Sequence, residues 1–353
     1  MRPNQESSIY RHRASARKKN LEEIMSERTA IVLVTFNGWE MTRNCLNDLA
    51  AQLNDSEYFV VAVADNASTD GTPENIRREF PAVHLYASPK NIGFGAANNL
   101  ALNGLIKDGE AFDSICLLNN DTRLQPETIP QLRNAWEKSQ SLAQGEGGKF
   151  AVVAPTVKNP DGSEQPNYFA GLGPEGIGSI AFFKNAFRNE ASAAKILQGT
   201  PTQTAQGSLA EVHWTSAVCW MFGKDLYDAL CKENPGGTLF DEKIFMYYED
   251  ADLALRARRL GTRFYVAGDV ALTHLGGGSA QSNTRRALQH DRAQQYVFKK
   301  HFGFRGFILS KSFRFTRSLV RIAASLPRCF CPGGKQARAY VKHHFTLMKA
   351  ALW

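Results

Sequence analysis

No apolar run in the sequence approaches the roughly 18 residues that a bilayer-spanning helix needs, so no transmembrane helix is expected. The six cysteines (Cys45, Cys116, Cys219, Cys231, Cys329 and Cys331) lack the paired spacing of a zinc site, and reduced thiols are expected. The basic N-terminus leads into Asn20-Leu21-Glu22-Glu23 instead of an apolar stretch. That argues against a secretory signal and predicts a basic, unstructured tail over residues 1–28. Acidic residues are missing altogether from 292 to 353, where thirteen Arg or Lys stand. Residues 1–20 carry six Arg or Lys against Glu6 alone, so a formal net charge of +8 leaves the stretch between these ends net acidic. Such a body argues against nucleic acid as a partner. It suits a cation-using site whose flanking ends meet an anionic surface. Also missing is a basic, glycine-rich phosphate loop after the first apolar run, where Thr35-Phe36-Asn37-Gly38-Trp39-Glu40 stands instead.

What is present is a chain of 353 residues, 43% hydrophobic and 22% charged, enough for one large α/β domain with an appendage. Ala30–Val34, Phe59–Ala64 and Ile115–Leu118 read as strands buried on both faces, with a shorter one at Val83–Tyr86. Helical patterns separate them at Met41–Leu53, Pro73–Phe80 and from the end of Asn91–Asn99 to about Ile106. This alternation predicts a parallel, doubly wound half. Three of the strands stop at polar clusters: Thr35 and Asn37, Asp65 and Asp70, and Asn119-Asn120-Asp121. One cluster is a turn, but three on one sheet edge make a site for a polar, phosphorylated ligand. Gly93-Phe94-Gly95 only superficially offers a dinucleotide fingerprint, because Asn98 takes the third glycine position.

Val34-Thr35-Phe36-Asn37, Asp65-Asn66-Ala67-Ser68-Thr69-Asp70-Gly71, Asn91-Ile92-Gly93-Phe94-Gly95-Ala96-Ala97-Asn98 and Leu118-Asn119-Asn120-Asp121 resemble, in order and spacing, the family 2 glycosyltransferases, above all the rhamnosyltransferase-like branch. The resemblance implies a GT-A fold: a Rossmann-like nucleotide-binding half with a mixed central sheet. A nucleotide-sugar donor is implied with it. Thr35, Asn37 and Asp65 would hold the nucleotide, with Asp65 on the base. Asn91 and Gly93 would lie near the donor's ribose and sugar, and Asn119 and Asn120 would line the same edge. Asp121 would be the metal-binding acid for Mg²⁺ or Mn²⁺. Asn119 replaces the first acid of the strict motif, which implies a metal weakly held until the diphosphate arrives.

In the second half, residues 140–148 read as a polar loop, Phe150–Pro155 as a strand, and residues 158–210 as a variable excursion. His213–Phe222 alternates and is aromatic-rich; Ser216 replaces the family's usual Gly beneath the acceptor pocket. Trp214 is open between pocket wall and core. Tyr248-Glu249-Asp250-Ala251-Asp252 opens a helix. Acids there complement the helix dipole, but transfer to a sugar hydroxyl also needs a base. By the resemblance, Asp250 is that base and Glu249 orients it or contacts the acceptor. Asp252 lies on the acceptor side or only caps. His274, before a glycine run, fits a metal ligand better than a core histidine.

From Gly306 to Ser325 the pattern is helical. Lys311, Arg314, Arg317 and Arg321 share one sector, and Ile308, Phe315, Leu319, Ile322 and Leu326 share another. Two arrangements stay open: an interfacial helix on an anionic membrane, or a helix docked on the catalytic domain.

The expected organisation is a catalytic domain over residues 29–292 (29–122 for the nucleotide sugar, 150–280 for acceptor and catalysis), then a basic amphipathic helical segment over 293–353. The expected activity is metal-dependent, inverting transfer, with dTDP-rhamnose the leading donor and a glycan or lipid-linked acceptor. The location implied is cytoplasmic, peripheral to the inner face of the membrane. A galactofuranosyl or other hexosyl transferase of the same fold is the alternative; a non-catalytic carbohydrate-binding protein is the rival from another class.

Overall fold

The computed structural model describes residues 28–52, 58–169, 171, 202–203, 208–276, 283–331 and 334–352. The N-terminal tail, most of the variable excursion and Gly277-Gly278-Ser279 lie outside them. So does Leu53, where the sequence pattern ends the first helix.

The first half runs β1 (Thr29–Thr35), α1 (Trp39–Ala50), β2 (Phe59–Asp65), α2 (Thr72–Glu79), β3 (His84–Ala87), α3 (Phe94–Lys107), β4 (Ser114–Asn119) and β5 (Thr122–Leu124). Then come α4 (Thr128–Gly145), β6 (Phe150–Lys158), β7 (Tyr168–Phe169), β8 (Thr202–Gln203), β9 (Leu209–Val212), β10 (Trp214–Thr215) and β11 (Cys219–Gly223). The chain continues through α5 (Lys224–Glu233), α6 (Glu249–Arg259), β12 (Thr262–His274), α7 (Asn283–Ser325) and α8 (Lys335–Leu352).

The main sheet has the order β3-β2-β1-β4-β11-β6-β12-β9-β8, with β5 added against β12. β3, β2, β1 and β4 are mutually parallel, and β11 inserts antiparallel between β4 and β6. This is the mixed-sheet α/β architecture implied by the resemblance, with a helical C-terminal segment. The apolar runs are double-faced because the period of two sends alternate residues to two cores. Ala30, Val32, Ile115 and Leu117 pack with α3, α5 and α6, whereas Ile31, Leu33, Cys116 and Leu118 pack with α1 and α4.

One expectation needs correction here. Residues 140–145 are not loop: α4 continues to Gly145, because Ser139 and Ala143 are buried on its inner face. The alternating stretch His213–Phe222 is divided between two sheets. It breaks at Ser216, whose N–H donates to the Asn167 carbonyl, so β10 pairs with β7 in a separate ribbon while β11 enters the main sheet.

The two halves meet through backbone. The Phe94 N–H donates to the Phe245 carbonyl at 3.0 Å, and Gly93 adopts φ +90°. A Cβ on Gly93 would stand 2.2 Å from that carbonyl oxygen. Asn99 adds a side-chain clasp, exchanging hydrogen bonds with both the N–H and the carbonyl of Phe240.

α7 turns sharply at Gly303 (φ 64°), and α8 packs back along it. The expected cationic sector is half-buried here, with Arg314 at its inner side. Arg314 is 7% exposed, ion-paired with Asp291 and hydrogen-bonded to Gln294. Burial lowers its pKa to about 10. Burial, and then the charges of Arg321, His343 and Arg317, lower His344 of α8 to about 4. The arginine sector docks because Ser310 and Ser318, one turn to either side of Arg314, are small enough to allow close approach.

Two substitutions test these contacts. Gly93→Ala should destabilise the protein by at least about 1–3 kcal/mol from the dihedral alone, read as a lower urea midpoint. Arg314→Ala leaves Asp291 buried without its cation and should cost about 3–5 kcal/mol in the same measurement. An unchanged midpoint for either would remove the role given to that contact.

Candidate active site

The site is assembled on the turn after β4. The Asn119 N–H donates to the Val218 carbonyl at 2.9 Å, and the Leu275 N–H donates to the Asp121 carbonyl at 2.9 Å. These bonds fasten the start of β11 and the end of β12 to one strand end. Asn120 turns inward: its amide donates to Thr42 Oγ1 at 2.9 Å and to Thr35 Oγ1 at 3.4 Å, tying the ends of β4 and β1. The Asn119 side-chain oxygen is buried without a hydrogen-bond partner.

Asp121 and His274 come together as a consequence. His274 is in register with Thr122, and its Nε2 lies 3.2 Å from Asp121 Oδ1. Gln165 Oε1, 3.0 Å from His274 Nδ1, fixes the ring. Two adjacent ligands at about 2.1 Å in an octahedral shell stand about 3.0 Å apart. The pair therefore fits two neighbouring positions around Mg²⁺ or Mn²⁺. Among the described residues no cluster of three or more His, Cys, Asp or Glu is arranged to hold a metal. Any such ion would take its other ligands from phosphate oxygens and water.

At the end of β2, Asp65 is 2% exposed. Its Oδ2 accepts the Ser68 N–H at 3.0 Å, whereas Oδ1 is buried without a partner and can accept from a ligand N–H. Asn37 and Asn91 are committed to protein. The Asn37 side-chain oxygen accepts from the Thr69 N–H at 2.7 Å. Asn91 Oδ1 accepts from Asn66 Nδ2 and from the Gly93 N–H. Both shape the rim through their side-chain oxygens. Asn66, buried and bonded also to the Ile92 N–H and the Gly93 carbonyl, is the hub of that rim. It lies within the Asp65–Gly71 stretch, yet nothing in its spacing marks it apart from Asp65.

The catalytic candidates sit at the start of α6. Tyr247 and Tyr248, at φ 69° and 63°, are consecutive left-handed residues with side chains, which is costly backbone. The C-terminal helices hold them: the Tyr248 hydroxyl accepts from Gln294 Nε2, and its ring packs edge-on against His290. Asp250 follows, with Oδ1 on the Ala251 N–H at 2.8 Å and Oδ2 on the Ala217 N–H at 3.4 Å. Ala217 precedes Val218, which is bonded to Asn119, so Asp250 stands at the same edge as the metal-site pair. Burial raises its pKa despite the two N–H donors. Burial, and then the charge of Asp250, raise Glu249 to about 8; its Oε2 is buried without a partner. The two carboxyls titrate as a pair, and burial pushes both above the ordinary carboxylate range.

Asp252 is elsewhere, which corrects its acceptor-side expectation. It is fully buried between Arg256 Nε at 3.0 Å, Lys300 Nζ at 2.7 Å and His301 Nε2 at 2.7 Å. Burial works against its charge, but His301, Arg256 and Lys300 outweigh it and hold the carboxyl well below the usual range. Asp252 binds α7 to α6. Trp214 is half-buried and packs on Phe169 at 4.7 Å between ring centroids; it also packs against the core below.

Residues 30–180 match the family model described as Glycosyl transferase family 2. An N-acetylglucosaminyl-diphospho-decaprenol L-rhamnosyltransferase of Mycobacterium tuberculosis is 26% identical over 329 residues, spanning 84% of this chain and 95% of that protein. A low-salt glycan biosynthesis hexosyltransferase of Haloferax volcanii is 22% identical over 242 residues, 68% of this chain and 64% of that one. A solved mannosyltransferase from Pyrobaculum calidifontis, in complex with GDP-Man and Mn²⁺, aligns over 93% of this chain and 86% of its own. Its TM-score is 0.49 and its identity 16%. Residues 30–180 thus carry the family 2 glycosyltransferase pattern, and the matches support a glycosyltransferase that is rhamnosyltransferase-like in sequence.

Proposed function

We propose that the enzyme transfers a sugar from a nucleoside diphosphate donor to a hydroxyl of a lipid-linked glycan, with inversion at the anomeric carbon. The observation that carries this reading is the 3.2 Å approach of His274 to Asp121, at the strand end to which Asp250 is also tied. Asp65 receives an N–H of the base on its unpartnered oxygen, and the rim built by Asn66, Asn91 and Asn37 encloses the nucleoside. Asp121 and His274 would hold Mg²⁺ or Mn²⁺, which when bound would supply positive charge against the leaving diphosphate. Asp250, ionised, takes the acceptor's hydroxyl proton as the acceptor oxygen attacks opposite the leaving group. Its two backbone N–H donors fix its direction. Glu249 keeps its proton near neutrality, which spares Asp250 a second carboxylate charge and leaves Glu249 able to donate to the acceptor.

Rhamnose from dTDP-rhamnose is the donor favoured by the similarity to the mycobacterial rhamnosyltransferase, whose name specifies a diphospho-decaprenol acceptor. A lipid-linked acceptor brings the reaction to the inner face of a membrane.

Three measurements test this. With labelled dTDP-rhamnose and a diphospho-polyprenol acceptor, Asp250→Asn should lower transfer by about 10²–10⁴-fold. Donor affinity by calorimetry should stay near wild type, and its collapse would make Asp250 structural. Asp121→Ala and His274→Ala should each weaken metal-dependent donor binding, and a variant working at full rate in EDTA would contradict the assignment. In the pH profile, the acid limb of kcat/KM should lie above the ordinary aspartate value of about 3.9. The group's raised pKa means activity is gained, not lost, as pH rises through that limb. Glu249→Gln should remove an alkaline limb near pH 8, and a profile identical to wild type would discard its protonated role.

A further inference from the structure

The outer face of the C-terminal helices is built for contact with something other than this chain. Beyond Gly303, Phe304, Ile308, Phe315, Leu319, Ile322 and Leu326 fall within a sector of about 60°. Phe304 is 71% exposed, Leu319 48% and Leu326 44%, and Phe330 in the following turn is 86% exposed. Ser310 and Arg314, turned roughly 110–150° from the centre of the stripe, are buried, and Ser318 is buried nearer its edge. The face that docks through Arg314 and the face that carries the apolar stripe are thus distinct. A soluble surface rarely keeps a continuous apolar stripe without a use for it.

Charge identifies the occupant. Arg305, Arg328, Lys335, Arg338, Lys342 and Lys349 are exposed on the same C-terminal helices and turn, and no Asp or Glu occurs between residues 292 and 353. A second copy meeting this face symmetrically would bring like charges together. The chain's own N-terminal residues 1–20 are basic as well, and no match for it. A nucleic acid would satisfy the cations but leave the aliphatic side chains in water. A bilayer with anionic headgroups satisfies both, and among the described residues no helix is long and apolar enough to go further and cross it.

We propose that the stripe from Phe304 to Phe330, with the exposed cations of these helices, docks the enzyme on the surface of an anionic lipid bilayer. This deepens the reading of a lipid-linked acceptor and rests on it for its purpose, though not for its test. Ser310 and Arg314 on its inward side bond to Gln294 of the arm before Gly303, which holds Tyr248, while Lys300 and His301 of that arm hold Asp252. The docking element and the candidate base are therefore one packed unit.

The full-length protein is floated with vesicles of phosphatidylglycerol and phosphatidylcholine, and with phosphatidylcholine alone. Wild type should bind the anionic vesicles and release in high salt. The triple variant Phe304→Ser, Leu319→Ser, Phe330→Ser should lose at least about tenfold in partitioning, because insertion needs the apolar stripe. Its circular dichroism and its transfer to a short, water-soluble acceptor should match wild type. Lys335→Gln, Arg338→Gln, Lys342→Gln should lose the preference for anionic lipid. Wild type that stays with the soluble fraction, or a serine variant that binds equally well, overturns the proposal. So does a dimer that the serine variant converts to monomer, which would give the stripe to a second copy. Loss of transfer to the soluble acceptor with vesicle binding intact would count against the enzymatic reading and not against the docking.

Discussion

The meeting of Asp121, His274 and Asp250 hangs on hydrogen bonds to the residues that follow the β4 apolar run. Asn119 receives the β11 entry through Val218, Asp121 receives the β12 exit through Leu275, and Asn120 reaches back to Thr35 and Thr42. Backbone groups at a strand end must be paired once buried. Their pairing fixes how far apart the side chains beside them can stand. The imidazole of His274 meets the carboxylate of Asp121, and Asp250 reaches the same edge, because those pairings leave little other choice.

A second constraint acts from outside the sheet. Tyr247 and Tyr248 occupy left-handed backbone at a cost of order 1–3 kcal/mol each, just before the buried carboxyls of Glu249 and Asp250. The C-terminal helices supply what keeps them there, through Gln294 and His290, and lock the next turn through Asp252 with Lys300 and His301. A chain end that looks like an appendage in composition is thus part of the machinery that positions the candidate base. Its buried ion pairs are sensitive to deletion of either partner, because an unpaired charge in that interior is far more costly than the pair is favourable.

The buried strands were legible because, in an α/β chain, a short run apolar at every position fits a strand covered by helices on both faces. The polar strand ends, Asp121, Asp250 and His274 were legible as candidates for the same reason in reverse: acids and an imidazole stand where apolar runs stop. Less could be read where local pattern carried no information about distance. Gln165 sits in a stretch with no periodicity and still orients His274. Arg314 lies in a sector that helical projection marks as a solvated cationic face, yet Asp291 and Gln294 bury it. Projection gives a residue's direction around its own helix, but not which side the neighbouring helix takes.

The sequence by itself determined the double-faced sheet, the polar edge along it, the family resemblance, and the sharp division between an acidic body and basic ends, since all are properties of order and composition. Only the tertiary structure decided that Asp252 serves the C-terminal helices and not an acceptor, and that Gly93 is where two halves of the chain touch backbone to backbone. It also decided which face of α7 is hidden. The reason is the same in each case: a side chain's partner can lie dozens of residues away, and nothing in local spacing encodes which of several competent partners the packed chain brings within hydrogen-bond reach.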